Sequence, residues 1–157
     1  MPGFTRGPIP AAFTPFGKNV YLRSTQDVKY ESFTCAATSV PTSTVDGSAQ
    51  KVLQPGTVIA KITTAAGTST AADVGKVGPF QAGVTDGRQT LTNIVGINDT
   101  FLPWQLKERD VEIAVAVEAR VVQAWCIELD AGGLPIALTN TTAAALVAQK
   151  ALSILFS

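Results

Sequence analysis

The 157-residue chain is about the length of one domain. It carries 12 basic and 12 acidic residues, and only 15% of its residues are charged. This balance argues against a general nucleic-acid-binding domain, which concentrates Lys and Arg, and the low charge favours a surface largely covered by other protein. The sequence contains no histidine, which removes Ser-His-Asp and Cys-His catalytic groups and the commonest metal ligand. We therefore expect no enzyme activity, no metal and no cofactor.

Residues 1–19 predict an extended N-terminal arm that precedes one β-rich domain, residues 20–157. Four prolines and three glycines in the arm exclude a helix or a central strand. It also carries apolar anchors, which a purely solvated linker would lack. We expect the arm to bind a partner surface, and an arm folded back on its own domain is the alternative. Its basic residues fit either a solvated tail or an acidic partner. The candidate binding residues are Phe4, Arg6, Ile9, Phe13, Phe16 and Lys18.

Short strands follow the arm in chain order. The β-branched and aromatic residues of 20–35 predict one or two strands. In "VLQPGTVIAKI", residues 52–62, a Pro55-Gly56 turn leads into a half-buried strand with Val58, Ala60 and Ile62 on its buried face. We predict a weak strand near residues 77–80 and another in "TLTNIVGIN", with Leu91, Val95 and Ile97 in phase.

The clearest alternation of apolar and polar residues lies in the second half of the domain. In "DVEIAVAVEARVV" the odd-numbered residues 111–121 are apolar, which predicts a strand with one buried face. "TNTTAAALVAQKA" then predicts a helix capped within Thr139–Thr142, with Lys150 near its end. "LSILFS" closes the chain as a short strand, and about seven strands with one C-terminal helix are expected in total.

Few side chains offer reactive chemistry. Glu108, Asp110 and Glu112 share one face of a strand, as a hydrolytic carboxylate pair could, although a solvated strand edge is the favoured interpretation. Cys35 and Cys126 lack metal spacing and are expected to be reduced core residues. The start "MPGFTRGPIP" lacks the apolar segment of a signal peptide, and no apolar run is long enough to span a membrane.

Three aromatic residues stand in or near predicted loops. "DTFLPWQL" places two aromatics beside a proline, where an isolated domain gains little from exposing them. Packing in the core is one interpretation. The other is a trimer or docking interface, because aromatic residues are enriched at interface centres. The candidate interface residues are Phe101, Trp104 and Trp125.

The order of these features resembles the head decoration proteins of tailed bacteriophages, in the lambda-like group. The similarity covers roughly residues 50–157, and its most specific parts are "LQPGTVIAK", the "VGI" segment and the final helix with its strand. None of these is a catalytic signature. The arm is longer and more aromatic than the family pattern, and residues 122–138 add further length.

The resemblance implies a small barrel-like or sandwich-like domain of the β-tulip type. Such a protein is a structural virion component that forms a homotrimer at local threefold positions on the outside of the expanded capsid. It cements subunits of the major capsid protein through its N-terminal segment, after assembly in the host cytoplasm. The alternative is another virion component, such as a head-fibre base or a tail-tube subunit. Neither interpretation involves nucleic acid, a membrane or a cofactor.

Overall fold

A computed structural model describes residues 21–45 and 48–156, and this part of the chain is mainly β with one α-helix near the C-terminus. The predicted fold class is therefore confirmed. The arm, residues 1–19, lies outside the described residues. The elements are β1 Lys29–Cys35, β2 Ser43–Val45, β3 Ser48–Gln50, β4 Val58–Lys61, β5 Val77–Pro79, β6 Ile94–Asn98, β7 Val111–Val121, β8 Ile127–Leu129, β9 Pro135–Ala137, α1 Asn140–Ala148 and β10 Ser153–Phe156.

Five of the strands pair in a closed circuit, in the order β1, β5, β4, β6, β7 and back to β1. The pairing of β1 with β5 is parallel and consists of Cys35 opposite Val77, whereas β1 and β7 pair along the whole of β1. β10 lies parallel to the C-terminal end of β7. The hairpins β2–β3 and β8–β9 form separate two-stranded sheets. The closed circuit has the connectivity of a small barrel, which agrees with the expected architecture.

Two apolar cores lie on opposite sides of this barrel wall. The inner core draws residues from every strand of the circuit, as the inside of a barrel does. The outer core lies between the wall and the covering elements α1 and β10. Buried members of the inner core include Cys35, Ile59, Val77, Ile113 and Val115, and the partly buried Val95 of β6 packs against them. Members of the outer core include Val58, Ala60, Ile97, Ala116, Leu146 and Ile154.

β4 separates the two cores, so it is buried on both faces. Val58 and Ala60 belong to the outer core and Ile59 to the inner core, and all three are inaccessible to solvent. The predicted turn at Pro55-Gly56 and the strand after it are confirmed. The prediction of a half-buried strand is wrong, because α1 and β10 cover the face that would otherwise meet water.

A β-bulge in β7 corrects the predicted burial pattern of the longest strand. The register with β1 skips Val117, so one extra residue stands in β7 at that point. Val115 lies in the inner core, whereas Ala116 and Ala119 lie in the outer core. The odd-numbered residues therefore do not share one face. The bulge resets the alternation of the strand, and β7 supplies both cores in turn.

A second bulge lies in β6 opposite β4, where the register skips Val95. The next residue, Gly96, has a φ of 144°, and a Cβ atom there would lie 2.4 Å from the carbonyl oxygen of Ala116. Only glycine fits this close approach of two backbones. The predicted phase of "TLTNIVGIN" is therefore wrong: Ile94 and Ile97 both face the outer core, and Val95 faces the inner core.

The C-terminal elements follow the sequence pattern closely. The hydroxyl of Thr139 caps α1 by accepting a hydrogen bond from the Thr142 N–H at 3.3 Å. Because the helix ends at Ala148, Lys150 lies in the turn beyond it and not in its last turn. β10 then runs from Ser153 to Phe156, where the short final strand is predicted.

Candidate interaction surface

Trp104 stands exposed on a loop that is held firmly from both sides. The loop joins β6 to β7, and its leucines Leu102 and Leu106 are 5% and 0% exposed. Leu102 and Leu53 exchange two backbone hydrogen bonds of 2.9 Å, and the N–H of Lys107 donates to the carbonyl of Trp104 at 3.0 Å. Trp104 itself is 55% exposed. The loop therefore presents a large aromatic side chain to solvent without leaving its backbone free.

The other two candidate aromatics do not join Trp104 in one patch. Phe101 is half-buried in the same loop and follows Thr100, whose hydroxyl accepts a hydrogen bond from the N–H of Ala114 in β7. Trp125 is half-buried against the outer core just beyond the far end of β7, where its N–H donates to the carbonyl of Val122. Seven residues of β7, including the bulge, separate Ala114 from Val122. Trp104 and Phe101 therefore lie towards one end of β7, and Trp125 lies towards the other end.

The remaining candidate residues belong to the arm. Phe4, Arg6, Ile9, Phe13, Phe16 and Lys18 lie outside the described residues. The first described residue of the body is Tyr21, which is buried and whose hydroxyl donates to Asp99 at 3.0 Å. The carbonyl of Tyr21 accepts from the N–H of Val122, so the chain enters the body beside the end of β7.

Sequence analysis did not single out several further exposed apolar side chains. Leu134 and Ile136 are two residues apart on the β8–β9 hairpin, so they share one face of it. Val147 lies on the outer face of α1, and Leu155 lies on β10. β10 ends the strand order, and its outer edge has no partner strand among the described residues. The alternation in "SILF" could have predicted the exposure of Leu155, because neighbouring residues of a strand face opposite sides and Ile154 is buried.

A polar network near the start of β7 fixes the same end of the barrel as the Trp104 loop. Asp110 accepts a hydrogen bond from the Ala37 N–H at 2.8 Å and lies 2.5 Å from the Lys76 ammonium. Lys76 also contacts Asp73, which accepts from the hydroxyls of Thr38 and Thr70. These contacts join the turn after β1, the turn before β5 and the start of β7.

The pKa of Asp73 reflects that network. Burial alone would raise the pKa of this carboxyl, but the Thr70 N–H, the two threonine hydroxyls and Lys76 outweigh it and lower the pKa to about 2. The pKa of Asp110 is also lowered, against the effect of burial, by the Ala37 N–H and by Lys76. Glu112 accepts a hydrogen bond from the Ser32 hydroxyl. These carboxylates hold neighbouring elements together.

The two cysteines are free and fully buried. Burial raises the pKa of each thiol to about 12. Both are therefore thiols at neutral pH and poor nucleophiles.

Across residues 21–45 and 48–156, no grouping of three or more Cys, Asp or Glu side chains could hold a metal ion. Nor does this part of the chain contain a helix long and apolar enough to cross a membrane. No protein-family model matches the chain, and no curated protein or solved structure matches it.

Proposed function

We propose that this chain is a structural virion protein that binds the outside of a tailed-phage capsid as a homotrimer and cements subunits of the major capsid protein. The body supplies a rigid domain with apolar docking residues, and the N-terminal arm supplies a second contact with the shell. The resemblance over residues 50–157 supports this proposal. The protein transforms no substrate in this role.

The observation that carries the proposal is the rigid display of Trp104. Binding normally costs free energy, because side chains and loops at the interface lose conformational freedom. The hydrogen bonds and buried leucines of the Trp104 loop have already ordered its backbone in the isolated chain. Tryptophan is also among the residues that most often dominate the binding energy of an interface. An exposed tryptophan on a preorganised loop of a low-charge domain is what we expect of a protein that binds the surface of another protein.

The arm adds affinity in a different way. An extended segment that joins the edge of a capsid sheet gains main-chain hydrogen bonds, and its apolar side chains set the register. Ordering such a segment costs conformational entropy. Three arms on one trimer, facing a repeating lattice, offset this cost by raising the effective concentration of each arm.

The test is co-sedimentation with heads of the phage that carries the gene, prepared before and after expansion. We expect binding to expanded heads and little binding to unexpanded heads. Deleting residues 1–19 should weaken binding by at least about ten-fold, while circular dichroism and thermal unfolding of the truncated chain stay unchanged. An unchanged affinity would remove the arm from the mechanism.

Native mass spectrometry of the free protein completes the test. A trimer is expected. A ring or polymer would favour the alternative of a tail-tube or fibre-base subunit. A monomer that ignores both forms of the head would overturn the proposal.

A further inference from the structure

A cleft of about 440 Å³ opens where several loops meet beside the barrel. Its walls come from the turn after β1, from the loop between β4 and β5, and from the loop that follows β5. This volume lies within the range of small-molecule sites in proteins. No residue of the Trp104 loop lines the cleft, and nothing in the proposed function requires it.

Arg88 is a buried residue in the lining of this cleft. The residue is 1% exposed, and its Nε donates to Asp86 at 2.9 Å. Its Nη1 donates to the carbonyl oxygens of Ser39 and Pro79 at 2.9 and 3.0 Å. Both N–H groups of Nη1 are therefore used, and the guanidinium group is fixed in place.

The two N–H groups of Arg88 Nη2 have no acceptor among the described residues. Among the described side chains, Gln50 Oε1 is the one polar atom that is sealed from solvent and has no hydrogen-bond partner. Because Arg88 Nη2 has no partner either and is not sealed in this way, it must be in contact with open space. Because Arg88 lines the cleft and is otherwise enclosed, that space is the cleft. A buried cation with two unused donors thus points into a cavity of ligand size.

Two more polar groups line the same cleft. Gln81 is 9% exposed, and its side-chain amide makes no hydrogen bond within the described part of the chain. Lys51 brings an ammonium group to the wall and donates to the carbonyl of Ala37. Asp86 is the acidic residue in the lining, and Ser69 and Arg88 occupy its carboxylate oxygens. The free donors and the excess of positive charge both favour an anion.

From this geometry we propose that the cleft binds a carboxylate group. One carboxylate oxygen accepts from Arg88 Nη2, and the other accepts from the Gln81 amide or from Lys51. Hydrogen bonds between ionised groups are about twice as strong as neutral ones, and a buried guanidinium loses less to competing water. The carboxylate belongs either to a small organic acid or to an acidic side chain of a partner protein.

The experiment is an NMR titration of the full-length protein that follows the side-chain N–H resonances of Arg88. The probes are sodium acetate, the blocked tripeptide acetyl-Gly-Glu-Gly-amide and inorganic phosphate, each at constant ionic strength. We expect a saturable shift of the Arg88 resonances with acetate or with the peptide, with a Kd on the order of 1 mM.

Substitution of Arg88 itself is uninformative, because Arg88 also holds Asp86 and two backbone carbonyls. The variants are Gln81→Leu and Lys51→Met, and each should weaken binding about five-fold with the fold retained. The matched control is Lys61→Met, an exposed lysine outside the cleft, which should bind as the unchanged protein does.

Tighter binding of the peptide assigns the site to a partner's side chain, and tighter binding of acetate assigns it to a small organic acid. Both results support the proposal. It is overturned if neither carboxylate gives a saturable shift, if phosphate alone binds, or if Lys61→Met weakens binding as much as Lys51→Met.

Discussion

Single side chains hold the loops of this protein to its barrel. Arg88 and Asp86 are both buried, and Arg88 ties the turn after β1 to the end of β5 through the carbonyls of Ser39 and Pro79. Lys76 performs a similar task on the other side of that turn, between Asp73 and Asp110. The chain has few charged residues, and these buried or half-buried ion pairs each hold two or more separate segments together.

We predict that the free energy of unfolding depends less on pH in the acid range after the substitution Asp73→Asn. The pKa of Asp73 is about 2 in the folded protein, below its ordinary value of 3.8. The unfolded chain therefore takes up the proton more readily, and the stabilisation is present above about pH 4 and is lost as the pH falls towards about pH 2. The loss amounts to about 2 kcal/mol. Urea unfolding of both proteins between about pH 5 and about pH 2 measures it.

The control for this prediction is Glu108→Gln, because Glu108 is exposed. Its stability should follow the unchanged protein across the same range. If Asp73→Asn and the unchanged protein lose stability in parallel, the hydrogen bonds to Asp73 do not stabilise the fold.

Among the elements, β7 determines how the two cores are divided. It pairs with β1 on one edge and with β6 and β10 on the other. The bulge at Val117 moves its apolar residues from the inner core to the outer core. A strand without this bulge would keep all its odd-numbered residues on one side, so Ala119 and Val121 would not reach the outer core.

We predict that Val115→Asp abolishes folding, because it places an unpaired charge in the inner core, where Val115 is 0% exposed. The matched substitution is Val117→Asp, at the half-buried bulge, which should lower the free energy of unfolding by a smaller amount and leave a folded protein. Circular dichroism and size-exclusion chromatography separate these outcomes. A soluble, folded Val115→Asp protein would refute the placement of Val115.

For the whole molecule, the main property is a rigid β body whose apolar side chains reach the surface in several places. These places lie on different loops and strands, and Trp104 and Trp125 stand near opposite ends of β7. Under the proposed function, these separate exposed side chains would contact more than one capsid subunit.

We predict that Trp104→Ala weakens binding to expanded heads by on the order of 30-fold, or about 2 kcal/mol, as loss of a central aromatic does. Its unfolding free energy should change by less than about 0.5 kcal/mol, because the side chain is exposed. Val74→Ala, at another exposed apolar residue, is the control and should bind normally. Equal affinity of both variants would show that the Trp104 loop faces solvent on the particle.

The sequence by itself determined the local elements of this protein. The Pro55-Gly56 turn with its strand, the cap at Thr139 and the final strand all depend on neighbours in the chain, and each stands where its residues predict it. Turn chemistry, capping and alternation act over a few residues, so one sequence suffices to find them. The mainly β class follows from the same signals.

Only the tertiary structure decided which faces are buried and which side chains meet. The bulges at Val95 and Val117 exist because a partner strand sets the register. "VEIAVAVEARVV" alternates without any mark of its bulge, and Gly96 is the one local signal in "NIVGIN". Likewise, Lys51 lies before β4 and Arg88 lies after β5, and they share a cleft because the strands bring their loops together. Long-range pairing is the physical cause in both cases, and a single stretch of sequence does not reveal it.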